Sequence, residues 1–485
     1  MCTVQILAKL NARFFIPTLA STKISLVGIL MSEAKSNKPT QKKLLGFWDL
    51  LSISLGQVIG TGVVVLTGIA IGMTGHGTPW AFIFGLAIVA IPTLCIAALG
   101  SAVPNTGGNY TYVRDLLGHK TSFVYLALLL AAQIFLAAFA LSFADYAQDL
   151  LPQSLGKNIN LKPLAVIVIV LVYCANLLGL KTAARLQTIF VLGLIIALLC
   201  FIGFGLPHVN DYSPYIAPNK IMAQGFSGFF AAAFLLRLSL VGSEFVAEFG
   251  GEMKNPGKTI PLVMGITLAV VIAIYFGVAV VATGVLPIED VAYQNLSLVA
   301  KKIFSVQMYT VFIVGGVLIA LVTSLNAIFA WCTRGLYMAS KDGWLPEKLA
   351  VQNRFSTHYI FLTVFFLVGL VPILVGMTIS QVSVLGNAFG AVFGIMPVLA
   401  IMNLAKRNPD AYKAAPFKLP VWAMTVLPLI ALLIYTYGIY FSWDFIGVKP
   451  ALSLVVYMGL ATAYAFWREP VVKLKMSSDQ ADQTP

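Results

Sequence analysis

The chain has 485 residues, of which 59% are hydrophobic and only 10% carry a charge, and its mean hydropathy is +0.91. A soluble protein of this length would carry far more charge. Apolar runs of about twenty residues recur along the whole chain, and each is long enough to cross a bilayer as a helix. The composition therefore predicts an all-α integral membrane protein with no room for a separate soluble domain.

The residues that precede the first apolar run are predicted to form a cytoplasmic N-terminal tail, residues 1–47. Its first thirty residues mix Lys9, Arg13 and Lys23 with apolar residues, whereas from Met31 onward the sequence reads as an ordinary polar tail. One hypothesis is that translation starts at Met31. The other is that residues 1–30 form an amphipathic surface segment or a targeting signal.

Twelve membrane spans are predicted from the apolar runs. They lie at about 48–72, 79–101, 121–147, 163–180, 186–206, 225–249, 260–285, 308–333, 358–376, 381–404, 420–441 and 450–467. With the N-terminal tail in the cytoplasm, most of the 31 lysine and arginine residues fall on the cytoplasmic side. This asymmetry follows the positive-inside rule and predicts a multi-pass protein of the cell membrane with both termini cytoplasmic. The net charge of +13 is thereby explained without a nucleic-acid partner.

The first predicted span carries a cluster of glycines, Gly56, Gly60 and Gly62, at its centre. Glycine weakens a helix, and freed backbone groups in hydrocarbon must be satisfied by protein, water or ligand. A membrane helix that breaks at its midpoint is typical of a transporter site. Backbone amides at the resumed half-helix would favour a carboxylate, which makes Val58, Gly60, Thr61 and Gly62 candidate substrate-binding residues. The alternative is close packing of small residues against a neighbouring helix.

The third predicted span contains Gln133 among apolar residues, and the eighth contains Asn326. Gln133 is predicted either to contact substrate or to form an interhelical hydrogen bond. Asn326 is predicted either to line the transport pathway or to join neighbouring helices.

The sixth predicted span is the second place where a helix is expected to break. Ser239, Gly242 and Ser243 loosen it near its centre. Freed carbonyl groups there could accept hydrogen bonds from an ammonium group. The candidate substrate-binding residues of this span are Leu238, Ser239, Val241 and Gly242.

The sixth span also holds three charged residues, Arg237, Glu244 and Glu248, although burying a charge within the membrane costs free energy. Glu244 and Glu248 are four residues apart and are expected on one helical face, with Glu252 continuing the stripe. Glu244 is the candidate for coupling transport to a proton. A structural ion pair with Arg237 or Arg334 is the alternative, and it is the favoured one for Glu248. Arg237 could contact an acidic substrate, balance Glu244 or occupy a cation position.

Breaks in spans one and six predict two inverted repeats of five spans. The expected boundaries are 48–206 for repeat one and 225–404 for repeat two, followed by two additional spans at 420–467 and a cytoplasmic tail at 468–485. The five cysteines include no CxxC pair, and the four histidines are scattered. The sequence therefore suggests neither a disulfide framework nor a metal site, and no cofactor is expected.

Four motifs lie on or beside these spans in a fixed order. They are Gly56 to Gly62, Pro104 to Tyr110, the pair Gly242 to Glu244 and Glu252 to Pro256, and Thr333 to Pro346. In these motifs, over about residues 45–420, the chain resembles amino acid permeases of the amino acid–polyamine–organocation (APC) superfamily. The family patterns are G-x-x-x-G-[ST]-G, P-x-[ST]-G-G-x-Y, G-x-[DE] with E-x-K-N-P, and S-R-x-L-Y-x-[MA]-[AS]-[RK]-D-G-x-L-P, with Thr333 in place of the serine.

The resemblance implies a LeuT-type fold of inverted five-helix repeats with broken helices one and six. It implies transport of amino acids across the membrane by alternating access, as a symporter or an antiporter. In similar family members the two broken segments bind the α-amino and α-carboxyl groups of the substrate. Span five lacks the lysine that some members use in place of sodium, which leaves Na⁺ coupling open, with Thr323 or Ser324, and equally leaves plain exchange. H⁺ is the other candidate coupling ion, through Glu244.

The predicted function is secondary active transport of an amino acid through a lipid bilayer. A polyamine or another organic amine is the alternative substrate. A permease-like sensor that binds an amino acid without moving it is the alternative of another class. An enzyme is not expected, because neither a metal cluster nor a nucleophile with a base lies within the spans, and no P-loop for ATP is present.

Overall fold

The computed structural model describes residues 45–60, 62–148, 150, 162–441 and 448–481. The question of where translation starts, most of the predicted N-terminal tail and Thr61 lie outside the described residues.

The described residues are helical, with short connections between the helices. The α-helices are α1 Phe47–Val58, α2 Thr67–Thr74, α3 Thr78–Ala102, α4 Gly108–Leu116, α5 His119–Ala132, α6 Phe135–Gln148, α7 Lys162–Leu177, α8 Leu180–Gly205, α9 Pro218–Ile221, α10 Gly225–Leu236, α11 Pro256–Gly284, α12 Ile288–Val291, α13 Ser297–Ile303, α14 Val306–Phe312, α15 Ile319–Trp331, α16 Thr333–Lys341, α17 Tyr359–Val375, α18 Ile379–Ala400, α19 Leu404–Arg407, α20 Pro409–Ala414, α21 Ala423–Phe441 and α22 Val448–Ala481. Two π-helical segments are Gly62–Leu66 and Ile313–Leu318. Short 3-10 helices are Gly75–Gly77, Leu206–His208, Ser213–Tyr215, Arg237–Ser239, Ser243–Glu248, Glu347–Ala350 and Ile401–Asn403.

Eight helical stretches of the described residues are long and apolar enough to cross a membrane. They are Thr67–Ala102, His119–Gln148, Leu180–His208, Gly225–Glu248, Pro256–Gly284, Val306–Lys341, Ile379–Arg407 and Ala451–Ser477. Three shorter apolar helices are Lys162–Leu177, Tyr359–Val375 and Ala423–Tyr437. The protein is therefore an integral membrane protein built from helices.

The first predicted span is interrupted at the glycine cluster. Helix α1 ends at Val58, and Ile59 is extended, with φ −80° and ψ 90°. The chain resumes as the π-helical segment Gly62–Leu66 and continues directly into α2.

The sixth predicted span is also interrupted. Helix α10 ends at Leu236 and passes into a 3-10 turn, Arg237–Ser239. Gly242 then has φ +137°, a backbone conformation that favours glycine. A second 3-10 segment, Ser243–Glu248, follows.

The expectation that Glu244, Glu248 and Glu252 form one α-helical stripe was wrong. Glu244 and Glu248 lie on the 3-10 segment Ser243–Glu248, and Glu252 lies beyond its end. A 3-10 helix has three residues per turn, so residues four apart do not share a face. The two carboxylates consequently point into different surroundings.

The third predicted span has an interruption that was not expected. Helix α5 ends at Ala132 and α6 begins at Phe135, with Gln133 between them. The backbone nitrogen of Leu136 donates to the Gln133 carbonyl oxygen over 3.0 Å, which is a 3-10 type of bond. Gln133 therefore sits at a local change of helix type and not within a continuous helix.

Candidate functional site

The two interruptions lie directly against each other. A Cβ atom added to Gly62 would meet the Cβ of Ser239 at 2.1 Å and its Cα at 2.7 Å. A Cβ added to Gly242 would meet Cγ of Gln57 at 2.7 Å. Contacts this close are possible only with glycine, because any side chain would overlap the other segment. The glycines thus allow the unwound backbones of the first and sixth predicted spans to touch.

One side chain of α11 joins the two interruptions. The hydroxyl of Tyr275 donates to the carbonyl oxygen of Val58 at 3.1 Å and lies 3.4 Å from that of Ser239. These carbonyls belong to the residues where the two helices lose their regular hydrogen bonding. Tyr275 is fully buried, so its hydroxyl satisfies backbone acceptors that water would not reach.

Helix α15 forms another wall of this region. The Ser324 hydroxyl donates to the Gly56 carbonyl oxygen over 3.1 Å, and a Cβ added to Gly60 would lie 2.5 Å from Ser324 Oγ. The Trp331 indole nitrogen donates to Gln57 Oε1 over 3.0 Å. Trp331 also stacks on Phe245, with ring centroids 4.0 Å apart. The first interruption is therefore held by side chains of α15 as well as by Tyr275 of α11.

Close packing explains the glycines of the first interruption in the described residues. Gly56 lies against the Gln187 side chain, Gly60 against Ser324 and Gly62 against Ser239. The small-residue packing predicted as an alternative is present at all three positions. Their role in substrate binding stays a prediction, and Thr61 lies outside the described residues.

The remaining predicted binding residues surround the same region. Val58 is buried, with 3% of its surface exposed, and Leu238 and Val241 are half-buried. The Ser239 hydroxyl donates to the Leu236 carbonyl oxygen over 2.6 Å, so it caps the end of α10. Gly242 donates its backbone N–H to Glu244 Oε2 over 2.9 Å.

Gln133 and Asn326 have different surroundings. Gln133 donates its amide N–H to the Leu129 carbonyl oxygen of the preceding turn, over 3.2 Å. Asn326 donates to Gln187 Oε1 over 2.7 Å and accepts from Asn176 over 2.8 Å. These bonds join α15 to α7 and α8, so Asn326 makes the interhelical contacts that were one of its two predicted roles.

Arg237 is buried and lies between aromatic rings. Its guanidinium carbon is 4.3 Å from the ring centroid of Phe234 and 4.8 Å from that of Tyr435 on α21. Within the described residues its Nε has no hydrogen-bond partner, and no ion pair joins it to Glu244. Cation–π contacts therefore offset part of the cost of burying this charge.

Neither carboxylate of the 3-10 segment has the ion pair that was predicted as the alternative. In the part of the chain that the structure describes, Arg334 pairs with Glu252, with Nη2 to Oε2 at 2.8 Å. Glu248 Oε1 instead accepts the backbone N–H of Asn109 over 3.1 Å. Glu244 accepts from Gly242 as described above.

Three of the four sequence motifs meet at one end of the helix bundle. We call this the motif end, and it comprises residues 104–116, 243–256 and 333–346. A Cβ on Gly108 would lie 2.8 Å from Glu248 Cα, and one on Gly250 would lie 2.7 Å from the Asn105 carbonyl oxygen. An isolated bridge joins Thr106 to Phe249. Gly108 of the second motif and Gly250 near the end of the sixth predicted span therefore let the two backbones lie directly against each other.

Buried ionic contacts hold the motif end together. Arg114 Nη1 lies 2.9 Å from Asp342 Oδ1, and the two side chains are 14% and 8% exposed. The Tyr110 hydroxyl donates to Asp342 Oδ2 over 2.7 Å. Burial raises the pKa of Tyr110, and the charge of Asp342 raises it further. Tyr110 is therefore a donor to Asp342 at any physiological pH.

Sequence reasoning missed Tyr275, Asn109 and the contacts of Asp342. Tyr275 carries a hydroxyl in the middle of an otherwise apolar run. A buried tyrosine hydroxyl usually finds a partner, so this position could have been singled out. Nothing in the sequence gave the partners of Asn109 and Asp342, because their contacts join motifs that are far apart along the chain.

Replacing Tyr275 by phenylalanine should loosen the contact between the interruptions. We expect Tyr275→Phe to lower the free energy of unfolding by about 1–3 kcal/mol, because two buried carbonyl groups lose their donor. Denaturation of the purified protein measures this. Tyr173→Phe is the matched control, since among the described residues the Tyr173 hydroxyl bonds the Thr363 hydroxyl between α7 and α17 and no backbone carbonyl. Equal effects of the two variants would contradict the bridging role.

The sequence is similar to one family of known proteins over most of its length. Residues 45–466 match the family described as "Amino acid permease". The chain belongs to this amino acid permease family. It is therefore a multi-pass membrane protein of a family of transporters, not of enzymes.

Relatives in this family cover most of the chain. The branched-chain amino acid permease BcaP of Bacillus subtilis is 28% identical over 82% of this chain and 88% of its own length. The methylthioribose transporter of the same organism is 27% identical over 89% and 95%. The serine/threonine exchanger SteT, also of Bacillus subtilis, is 25% identical over 81% and 89%. Amino acid transport is thus supported by family membership, whereas the named substrates belong to the relatives.

Proposed function

We propose that this permease is a secondary active transporter that moves an amino acid by alternating access, with the substrate held between the two interrupted helices. The observation that carries the proposal is the direct contact of Gly62 with Ser239, bridged by Tyr275. Two spans that lose helical structure at the same place expose backbone amides and carbonyls to one another. Such half-helix ends are the groups that bind charged substrate ends in membrane transporters.

The proposed site has two halves of opposite polarity. Amides at the start of the resumed first span, around Gly60, Thr61 and Gly62, would bind the α-carboxylate. Carbonyls around Leu238, Ser239 and Val241 would accept hydrogen bonds from the α-ammonium group. Val58, Gln133 and Gly242 complete the proposed surroundings. The twelve-span arrangement of two inverted repeats, with both termini in the cytoplasm of the cell, belongs to the same proposal.

Glu244 is the residue that we propose couples transport to a proton. Arg237 is proposed either to contact the substrate side chain or to balance the charge of Glu244. Glu244 is half-buried and lacks an ion pair among the described residues, so protonation would remove a costly charge. Uptake by wild type and by Glu244→Gln, each with and without a proton uncoupler, tests the coupling. An unchanged response to the uncoupler in the variant would contradict it.

Uptake into proteoliposomes tests the proposed function. Substrates suggested by the relatives are branched-chain amino acids, serine, threonine and methylthioribose, each offered in labelled form. We expect accumulation of at least one amino acid above the level of protein-free liposomes. Binding of an amino acid without uptake would instead favour a sensor, and uptake of methylthioribose alone would overturn the amino acid assignment.

A further inference from the structure

The second carboxylate of the 3-10 segment, Glu248, has no role in the site described above. Its side chain is buried, with 2% of its surface exposed. A carboxylate that is removed from water is costly to leave charged unless a cation or several donors compensate it. The groups around Glu248 at the motif end therefore determine whether its carboxyl is protonated or charged.

Arg334 is the cation whose charge reaches Glu248, but its hydrogen bonds go to other groups. Arg334 donates from Nε and Nη2 to the two oxygens of Glu252, at 3.0 and 2.8 Å, and from Nη1 to the Ala330 carbonyl oxygen. Its charge reaches Glu248 electrostatically but makes no ion pair with it in the described residues. The hydrogen bonds of Arg334 therefore go to Glu252 and Ala330 and not to Glu248.

The neutral groups around Glu248 are buried and incompletely paired. Asn109 gives one backbone hydrogen bond to Glu248 Oε1, and its side chain lies within hydrogen-bonding range of the same carboxyl. Within the described residues, the side-chain oxygen of Asn109 and the hydroxyls of Tyr112 and Tyr125 have no partner. All three residues are at most 2% exposed.

The two unpaired tyrosine hydroxyls lie within electrostatic reach of the 3-10 segment Ser243–Glu248. Burial raises the pKa of Tyr112, and the charge of Glu248 raises it further. Tyr125, from α5, lies within electrostatic reach of both Glu248 and Glu244. Among the described residues, the titratable groups within electrostatic reach of the Glu248 carboxyl are therefore Tyr112 from α4, Tyr125 from α5 and Arg334 from α16. Glu244 reaches the same Tyr125.

We propose that Glu248, with Asn109 and the hydroxyls of Tyr112 and Tyr125, forms a proton-binding site at the motif end. A protonated carboxyl offers one O–H donor, and the unpaired side-chain oxygen of Asn109 is an acceptor that needs such a donor. Deprotonated, the same carboxyl would keep the N–H of Asn109, but its buried charge would have no ion pair among the described residues and the side-chain oxygen of Asn109 would have no donor. Because Glu248 is the one carboxylate of the proposed site and the other members are neutral, the site binds one proton.

The position of this site ties proton release to movement of the motif end. Gly108 lets α4 lie on the backbone of Glu248, with less room than a methyl group between them. When α4 separates from this segment, water reaches the carboxyl and the proton leaves. Proton binding is therefore linked to closure of the motif end. The proton-binding site itself does not depend on the proposed transport function; only its consequence for transport rests on that function.

Infrared spectroscopy of the purified, full-length protein tests the site without requiring transport. We expect wild type at neutral pH to show the C=O stretch of a protonated carboxyl, shifted in heavy water, and Glu248→Gln to lack it. The glutamine keeps the shape, accepts from the Asn109 N–H and can donate to its side-chain oxygen. Glu347→Gln is the control, because Glu347 is a largely exposed carboxylate paired with Lys475.

Further variants separate the outcomes. Asn109→Leu should keep the band but move it to higher frequency, because the carboxyl loses its acceptor. Loss of the band in Glu244→Gln with retention in Glu248→Gln would assign the proton to Glu244 and overturn the proposal. A band that is absent from wild type, or removed by sodium, would also overturn it. A protein that shows the band but transports nothing would contradict the proposed function and leave this site standing.

Discussion

Replacing Gly62 by alanine should abolish transport or lower it at least about tenfold. The added methyl group would overlap Ser239, with its Cα at 2.7 Å, and backbone cannot rotate away as a long side chain can. Overpacking of this kind costs about 1–3 kcal/mol, and here the strain falls on the contact between the two interruptions. The initial rate of amino acid uptake into proteoliposomes measures the effect.

A matched glycine distinguishes this result from the general cost of changing a membrane helix. Gly265 lies within α11, and a Cβ added there would meet no atom within 4 Å. Gly265→Ala is therefore expected to transport as wild type does. The double variant Gly62→Ala with Ser239→Gly should recover only part of the rate, because the contact with the backbone Cα remains. Full activity of Gly62→Ala would show that the two segments do not need to touch.

Removing the carboxylate of Asp342 should be the most destabilising change at the motif end. Asp342→Ala leaves Arg114 without its partner across the bundle and leaves the Tyr110 hydroxyl without an acceptor. Breaking a buried ion pair by removing one partner costs about 3–5 kcal/mol when the remaining charge is left unpaired. Arg114 keeps its ion pair with Asp115 at 2.7 Å, so we expect a loss at the lower end of this range. The free energy of unfolding in mixed micelles measures the loss. Asp342→Asn, which keeps an acceptor for Tyr110, should fall between wild type and Asp342→Ala.

The exposed ion pair of Glu347 with Lys475 provides the comparison for this prediction. The Glu347 side chain is 60% exposed, whereas the Asp342 side chain is 8% exposed. Exposed pairs contribute little to stability, because solvent screens them. Glu347→Ala should therefore change stability much less. Similar losses for the two alanine variants would indicate that burial of the Arg114–Asp342 pair has no energetic consequence.

The interruptions of the first and sixth predicted spans could be predicted because the residues that cause them are local. Gly56, Gly60 and Gly62 crowd one helix centre, and Gly242 with its neighbouring serines loosens the other. The interruption beside Gln133 could not be predicted in this way, since no glycine or proline marks it. At this interruption the Gln133 side chain donates to the Leu129 carbonyl oxygen of the preceding turn, a bond that the sequence alone does not reveal.

The candidate site was predictable in its backbone and much less in its side chains. Periodicity placed Glu244 and Glu248 on one face, because an α-helix was assumed, and the tighter 3-10 winding after Gly242 separates them. The motifs were recognised one by one, but their meeting at the motif end depends on contacts between residues more than a hundred positions apart, such as Tyr110 with Asp342. Tyr275 was missed although its hydroxyl within an apolar run was a local signal.

Competition binding tests most directly whether the two interrupted helices together hold both ends of an amino acid. Purified protein would be saturated with a labelled amino acid that it transports, and then challenged with the unlabelled amino acid, with its decarboxylated amine and with its deaminated acid. Only the complete amino acid should displace the label, because each analogue lacks the group that one half of the site binds. Displacement by the amine at the same concentration as by the amino acid would contradict the two-sided site and favour an organic amine as the substrate.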